Sequence, residues 1–198
     1  MLKPVKYLAA VFFVSMTALS SQGADALEYK EHVLGNPDAP VTIIEYASLT
    51  CSHCAAFHTE ILPEIKKELL DTGKAKLVFR DYPLDGVALR ASAIAQCAGD
   101  DRYFGVLGML FKSQSTWARS EDPIAAIKET VRFAGMDGDA VDACMADEEL
   151  VKGIVASRLR GEQEHNVNST PSFVIDGKTF PGSRDLKFFA DKVEDLTN

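Results

Sequence analysis

Two thiols stand two residues apart at the start of a helical pattern, in Cys51-Ser52-His53-Cys54. The thiolate is the reactive form of cysteine, and an ordinary thiol is mostly protonated at neutral pH. A helix N-terminus carries partial positive charge, which stabilises a thiolate on the first cysteine. Such a pair is placed to shuttle between dithiol and disulfide. His53 lies between the two thiols. An imidazole there donates a hydrogen bond to the Cys51 thiolate or adds positive charge. Either effect favours the reduced form and makes the disulfide more oxidising. Alone, the same pattern also fits a structural bridge or part of a zinc site. His58, a turn beyond Cys54, would extend it to a Cys51/Cys54/His58 set. The second closely spaced ligand pair of a structural zinc site is missing, so no metal is expected.

Glu45 is an acid in an otherwise apolar run, Val41-Thr42-Ile43-Ile44-Glu45-Tyr46, six residues before Cys51. A buried carboxylate is costly unless it is paired or protonated, so Glu45 points to proton handling during thiol exchange. Lys76, in the next strand pattern, is its expected partner. A glutamate that merely faces the sheet edge is the alternative.

The N-terminus reads as a secretory signal over residues 1–26. Lys3 and Lys6 supply its charged start, and Tyr7 to Leu19 an apolar stretch short for a membrane span. Ala24-Asp25-Ala26 fits small-residue cleavage. Its removal leaves 172 residues, enough for one domain with a sizeable core, and moves the formal charge from −8 to −9. An acidic surface argues against general nucleic-acid binding. All four cysteines lie after residue 26, which permits disulfides in an oxidising compartment. If the adjacent pair is the redox pair, Cys97 is left with Cys144. A bridge closing that 47-residue loop stabilises by roughly 3–4 kcal/mol in the chain-entropy model. Two free buried thiols are the alternative.

The elements that must position these groups follow from pattern. Val41 to Tyr46 has the β-branched and aromatic content of a buried strand. From Ser52 a helix is expected, with Phe57, Ile61, Ile65 and Leu69 on one face and Pro63 kinking or dividing it. Ala75 to Arg80 is a second strand. Residues 84–164 read as helical, with Asp122-Pro123 opening one helix and Asp137 or Asp139 capping the one that carries Cys144. Ser172 to Ile175 and Lys178 to Phe180 form a hairpin through a primed turn at Asp176-Gly177. Arg184 to Leu196 is a last amphipathic helix. Strand, helix, strand, a helical block, then hairpin and helix is the plan of an α/β thioredoxin fold with an inserted all-helical subdomain. Its halves fall at about 37–83 and 165–198, and the insertion at about 84–164.

With these residues the chain resembles the DsbA-like thiol:disulfide oxidoreductases, in particular the bacterial periplasmic DsbA/BdbD-type group. The resemblance covers residues 27–198. It rests on Glu45-Tyr46-Ala47-Ser48-Leu49-Thr50-Cys51-Ser52-His53-Cys54, on Phe79-Arg80-Asp81-Tyr82-Pro83, on the inserted helices, and on Ser169-Thr170-Pro171-Ser172-Phe173. It implies that Cys51 is the exposed nucleophile and Cys54 its buried partner. It implies that Pro171 is the cis-proline against the active-site disulfide, and that the Thr170 backbone binds extended substrate. Thr170 departs from the valine of the best-known strong oxidant, which bears on redox potential and substrate release.

The resemblance implies a periplasmic enzyme that puts disulfides into exported proteins. No cofactor is needed beyond the Cys51–Cys54 disulfide. Its substrates would be unfolded, cysteine-containing chains, and its reoxidant a quinone-linked membrane protein of the DsbB type. A disulfide isomerase or reductase is the nearest alternative. The roughly ten residues before the first strand are too few for an isomerase's dimerisation domain. A non-catalytic chaperone would not need the thiols at all. A metallochaperone is disfavoured, because a disulfide between Cys51 and Cys54 removes the ligands.

Overall fold

The computed structural model describes residues 27–198. The secretory segment expected over 1–26 lies outside them. Five strands form one sheet in the order β1-β3-β2-β4-β5. They are β1 (His32–Gly35), β2 (Val41–Ala47), β3 (Ala75–Asp81), β4 (Ser172–Ile175) and β5 (Lys178–Pro181). β2 and β3 are parallel, while β1–β3, β2–β4 and β4–β5 are antiparallel. The β2–β3 pair needs a crossover, supplied by the helical stretch from Ser52 to Leu70. At the β4–β5 turn, Asp176 and Gly177 have φ of 49° and 69°, the sign a primed turn requires at both central residues.

β1 was not expected. Its four residues are too few to show alternation, and Gly35 with Asn36-Pro37 reads as turn. Antiparallel pairing with β3 makes it a strand.

The helical stretch after Cys51 is continuous but changes winding. It begins as α1 (Ser52–Ala56), widens to a π-turn over Phe57–Ile61, continues as α2 (Leu62–Ile65), and widens again over Lys66–Leu70. Leu62 N–H reaches back to Phe57 O, one residue farther than in an α-helix. Pro63 follows at once. A proline cannot donate to the α-helical ladder, and a π-bulge is one way to absorb that. The expected kink or division is therefore a shift of hydrogen-bond register.

Between β3 and β4 lie six helices: α3 (Gly86–Gln96), α4 (Tyr103–Lys112), α5 (Gln114–Trp117), α6 (Pro123–Arg132), α7 (Gly138–Ala146) and α8 (Glu148–His165). A final helix, α9 (Leu186–Thr197), packs on the sheet. Aspartates at 85, 122, 137, 147 and 185 cap α3, α6, α7, α8 and α9 with side-chain oxygens. Each satisfies N–H groups that a helix leaves open. Asn166 ends α8 in the left-handed region, at φ 52°.

Two apolar cores lie side by side on one face of the sheet. One holds Val41, Ile43, Phe57, Leu69, Leu77, Phe173 and Phe189. The other joins Leu49, Cys54 and Phe79 to Tyr103, Leu110, Phe111, Trp117, Ile127 and Val131 of the inserted helices. The insertion thus shares a core with the helix that carries Cys54. Cys97 and Cys144 are disulfide-bonded and tie the end of α3 to α7.

Gly161 on α8 packs closely against the sheet. A Cβ there would lie 2.7 Å from Cε1 and 2.9 Å from Cδ1 of the buried Tyr46. Alanine gains about 1 kcal/mol of helix propensity over glycine, but overpacking costs about 1–3 kcal/mol. Gly161→Ala is expected to lower stability by up to about 2 kcal/mol, read as the denaturant midpoint at unchanged m-value.

Candidate active site

β2 leads into the loop Ser48-Leu49-Thr50, and Cys51 caps α1. Local bonds fix this entrance. Ser48 Oγ is 3.2 Å from Thr50 Oγ1 and accepts from Thr50 N–H and Leu84 N–H. Thr50 Oγ1 donates to Asp85 Oδ2 at 2.7 Å, and the other oxygen of Asp85 caps α3.

Cys51 has φ −81° and ψ 117°, extended rather than helical, and its Sγ takes the place of an N-cap oxygen. Cys54 N–H donates to that sulfur at 3.4 Å. Cys51 is partly exposed, Cys54 is fully buried, and the two thiols are unbridged. The Cys51 thiol is pulled down from 9.0 to about 5. The hydrogen bond from Cys54 is the largest cause. Burial opposes it, and the Thr170 side chain and the backbone N–H groups of Cys54 and His53 add to it. The Cys54 thiol is pushed far up instead. Burial is the main cause, followed by its hydrogen bond to Cys51 and the negative charges of Cys51 and Glu45. Adjacent in space and alike in chemistry, the two thiols ionise very differently because the donors facing Cys51 outweigh its burial, while the backbone hydrogen bond from Ser48 at Cys54 does not.

The imidazole of His53 is exposed, and the residue acts on Cys51 through its backbone N–H. The Thr170-Pro171 peptide bond is cis and lies against the redox pair: Cys51 Sγ, as a thiol, donates to Thr170 O at 3.4 Å. The buried Thr170 Oγ1 has no partner among the described residues. Once Cys51 ionises it no longer donates to the carbonyl, and the Thr170 hydroxyl is the donor available to it.

Glu45 is fully buried and paired, but not with Lys76. Both its carboxylate oxygens accept from His58 Nε2, at 3.1 and 3.0 Å. Lys76 Nζ instead donates to Pro37 O. Strand parity explains the correction. Lys76 lies opposite Thr42 and Glu45 lies opposite Phe79, so the two side chains fall on opposite faces of the sheet. His58 is held flat against Phe111 of α4, with ring centroids 4.1 Å apart. Sequence reading considered His58 only as a metal ligand. Its position four residues after Cys54, on the same helix face, was the signal that it belongs under the redox pair. Cys51, Cys54, Glu45, Thr170 and Pro171 thus converge, with His58 added. Cys97 and Cys144 form their bond away from the redox helix, in the insert. No cluster of three or more metal-ligating side chains occurs among the described residues.

The sequence matches the family described as Thioredoxin over residues 28–195, and the chain belongs to it. It is 29% identical over 152 residues to the "Putative protein-disulfide oxidoreductase" of Rickettsia bellii, covering 76% of this chain and 59% of that protein. The chain spans less than two thirds of the length of that relative. Among solved structures it is similar to Wolbachia pipientis alpha-DsbA1, at 30% identity and TM-score 0.76, covering 84% of this chain and 90% of that one. It is also similar to a protein-disulfide isomerase from Novosphingobium aromaticivorans, at 28% identity and TM-score 0.72, covering 85% and 98%. Within its family the chain is DsbA-like.

A thiol depressed in the folded state supports folding fully above its unfolded value, and that support is lost as pH falls through the folded value. The stability of the reduced protein relative to the oxidised one is therefore expected to rise with pH between about 5 and 9.0. The thiolate absorbance of Cys51 is expected to appear with a midpoint near 5. Paired melts of the two redox forms test the first expectation, and Cys51→Ser should flatten the slope.

Proposed function

We propose that this DsbA-like protein is a thiol:disulfide oxidoreductase that donates the Cys51–Cys54 disulfide to substrate thiols. The observation that carries the reading is the split between the thiols, with Cys51 pulled down to about 5 and Cys54 pushed up. A stabilised Cys51 thiolate favours the reduced enzyme, so the oxidised enzyme readily gives its disulfide away.

The steps follow from the geometry. In the oxidised enzyme a substrate thiolate attacks Cys51 Sγ, the accessible sulfur. The Cys51–Cys54 bond breaks, Cys54 leaves with the electron pair, and a mixed disulfide forms. Because its thiolate is so disfavoured, Cys54 takes up a proton. A second substrate thiolate attacks the substrate sulfur of the mixed disulfide. Cys51 leaves as a thiolate, held by the Cys54 N–H. The substrate is oxidised by two electrons and the enzyme reduced by two. Glu45, bonded to His58, is the group we assign to deliver the Cys54 proton and to remove it again on reoxidation. The Thr170-Pro171 segment lines the site and is assigned to hold an extended substrate backbone, a strand-like mode that needs little of the substrate's sequence.

The substrates we infer are unfolded, cysteine-bearing exported chains, and the compartment the periplasm. The support is the secretory pattern of residues 1–26 and the four cysteines that follow it. Recharging by a quinone-linked membrane protein belongs to the same proposal. An isomerase is the second reading. It is favoured by the Thr170 hydroxyl beside Cys51, which bears on how tightly a mixed disulfide is held.

Two assays separate the readings. The protein should rapidly oxidise a reduced, unfolded test protein and poorly rescue a scrambled one; the reverse pattern overturns the oxidase assignment in favour of isomerisation. Cys51→Ala should abolish oxidation, and retained oxidation would exclude Cys51 as the nucleophile. Glu45→Gln is expected to slow turnover by roughly a hundredfold, as for loss of a positioned acid–base group. The Cys51 titration should stay in place, and an unchanged rate would remove Glu45 from proton transfer.

A further inference from the structure

Gln114, at the start of α5, is a polar side chain in the shared core, only 7% exposed. Its Nε2 donates to Leu49 O at 2.8 Å and to Cys51 O at 2.9 Å. Both N–H bonds of one amide are thus spent on the loop that delivers the nucleophile. The Cys51 carbonyl also accepts Ala55 N–H at 3.1 Å, so it is held from two directions. The residue itself is anchored. Trp117 N–H bonds to Ser113 O and Ala118 N–H to Gln114 O, while the fully buried Trp117 ring donates to Leu110 O at 2.8 Å. Burying an amide costs free energy unless it is bonded, and both donors of this one meet backbone carbonyls of the loop between β2 and α1.

We propose that Gln114 is a positioning residue through which the helical insert holds Cys51 at the cap of α1. The inference rests on Cys51 being the nucleophile of the reading above. The two bonds fix the Leu49–Thr50 and Cys51–Ser52 peptide groups, which bracket the entry to α1. Their orientation decides whether Cys51 Sγ stays within reach of Cys54 N–H and the Thr170 segment, at 3.4 Å each. Without Gln114 the loop keeps its tether at Thr50–Asp85 but loses the one on the other side. The sulfur then samples positions without donors, and its thiolate is less favoured. The inserted helices therefore set the reactivity of a residue that the thioredoxin half carries.

Gln114→Met keeps the length and volume of the side chain and removes both donors. In the reduced variant the midpoint of thiolate absorbance is expected to rise by about one pH unit, the equivalent of about one hydrogen bond. Alkylation by a small neutral reagent at mildly acid pH should slow by about tenfold in step. This reads Cys51 alone, since Cys54 is buried and Cys97 and Cys144 are bonded. A lower melting temperature with an unchanged midpoint and alkylation rate overturns the proposal and leaves Gln114 a packing residue. If Gln114→Met does not fold, the wild-type protein decides. The side-chain amide resonances of Gln114 should move as Cys51 titrates, and stationary resonances overturn the assignment. None of these readouts involves substrate oxidation. A wild-type protein that fails to oxidise substrate overturns the enzyme reading without moving them.

Discussion

The approach of Cys54, whose thiol and backbone N–H both donate to Cys51 Sγ, is the contact on which the site depends. It exists because Cys51 is extended and sits at a helix cap, where N–H groups have no helical partner. The same helix carries Cys54 inward, into a core where a backbone hydrogen bond from Ser48 does not offset the cost of a charge. One turn of helix thus produces one thiol that ionises readily and one that does not. Disulfide donation needs that difference, because the outer sulfur must leave easily and the inner one must stay quiet.

Everything else holds that turn in place. The sheet fixes its start through β2, the cis bond at Thr170-Pro171 closes one side, and the insert closes the other. The insert does so by packing Phe111 and Trp117 into the core that contains Cys54, and by polar tethers at Asp85 and Gln114. Beneath the pair, Glu45 and His58 are a bonded acid and base in a dry environment, with the imidazole held against Phe111. Cys51 and Cys54 come from α1 and its cap, and Glu45, whose charge acts on Cys54, comes from β2.

Much of this was legible in residue order. The strand pattern from Val41, the thiol pair at a helix start, the Asp176-Gly177 turn and the Asp122-Pro123 cap are local signals, and each corresponds to an observed element. What was not legible depends on parity, register or distant pairing. Lys76 looked like the partner of Glu45 because both lie in neighbouring strands, yet the register puts them on opposite faces. β1 is too short to announce itself and exists because β3 offers an edge. Gln114 has no motif around it, since its partners lie 65 and 63 residues away.

The sequence by itself determined the chemistry available and the plan of the fold: two spaced thiols, a helix to carry them, and the order of elements that makes a thioredoxin sheet with an inserted helical block. Those are properties of composition and short-range pattern, which the chain carries whether folded or not. Only the tertiary structure decided which groups face the sulfurs. It gave Glu45 to His58, put the Thr170 segment within reach of Cys51, and turned an amide of the insert onto the loop that leads into α1. The physical reason is that ionisation responds to burial and to donors within a few ångströms, and residues far apart in sequence supply both.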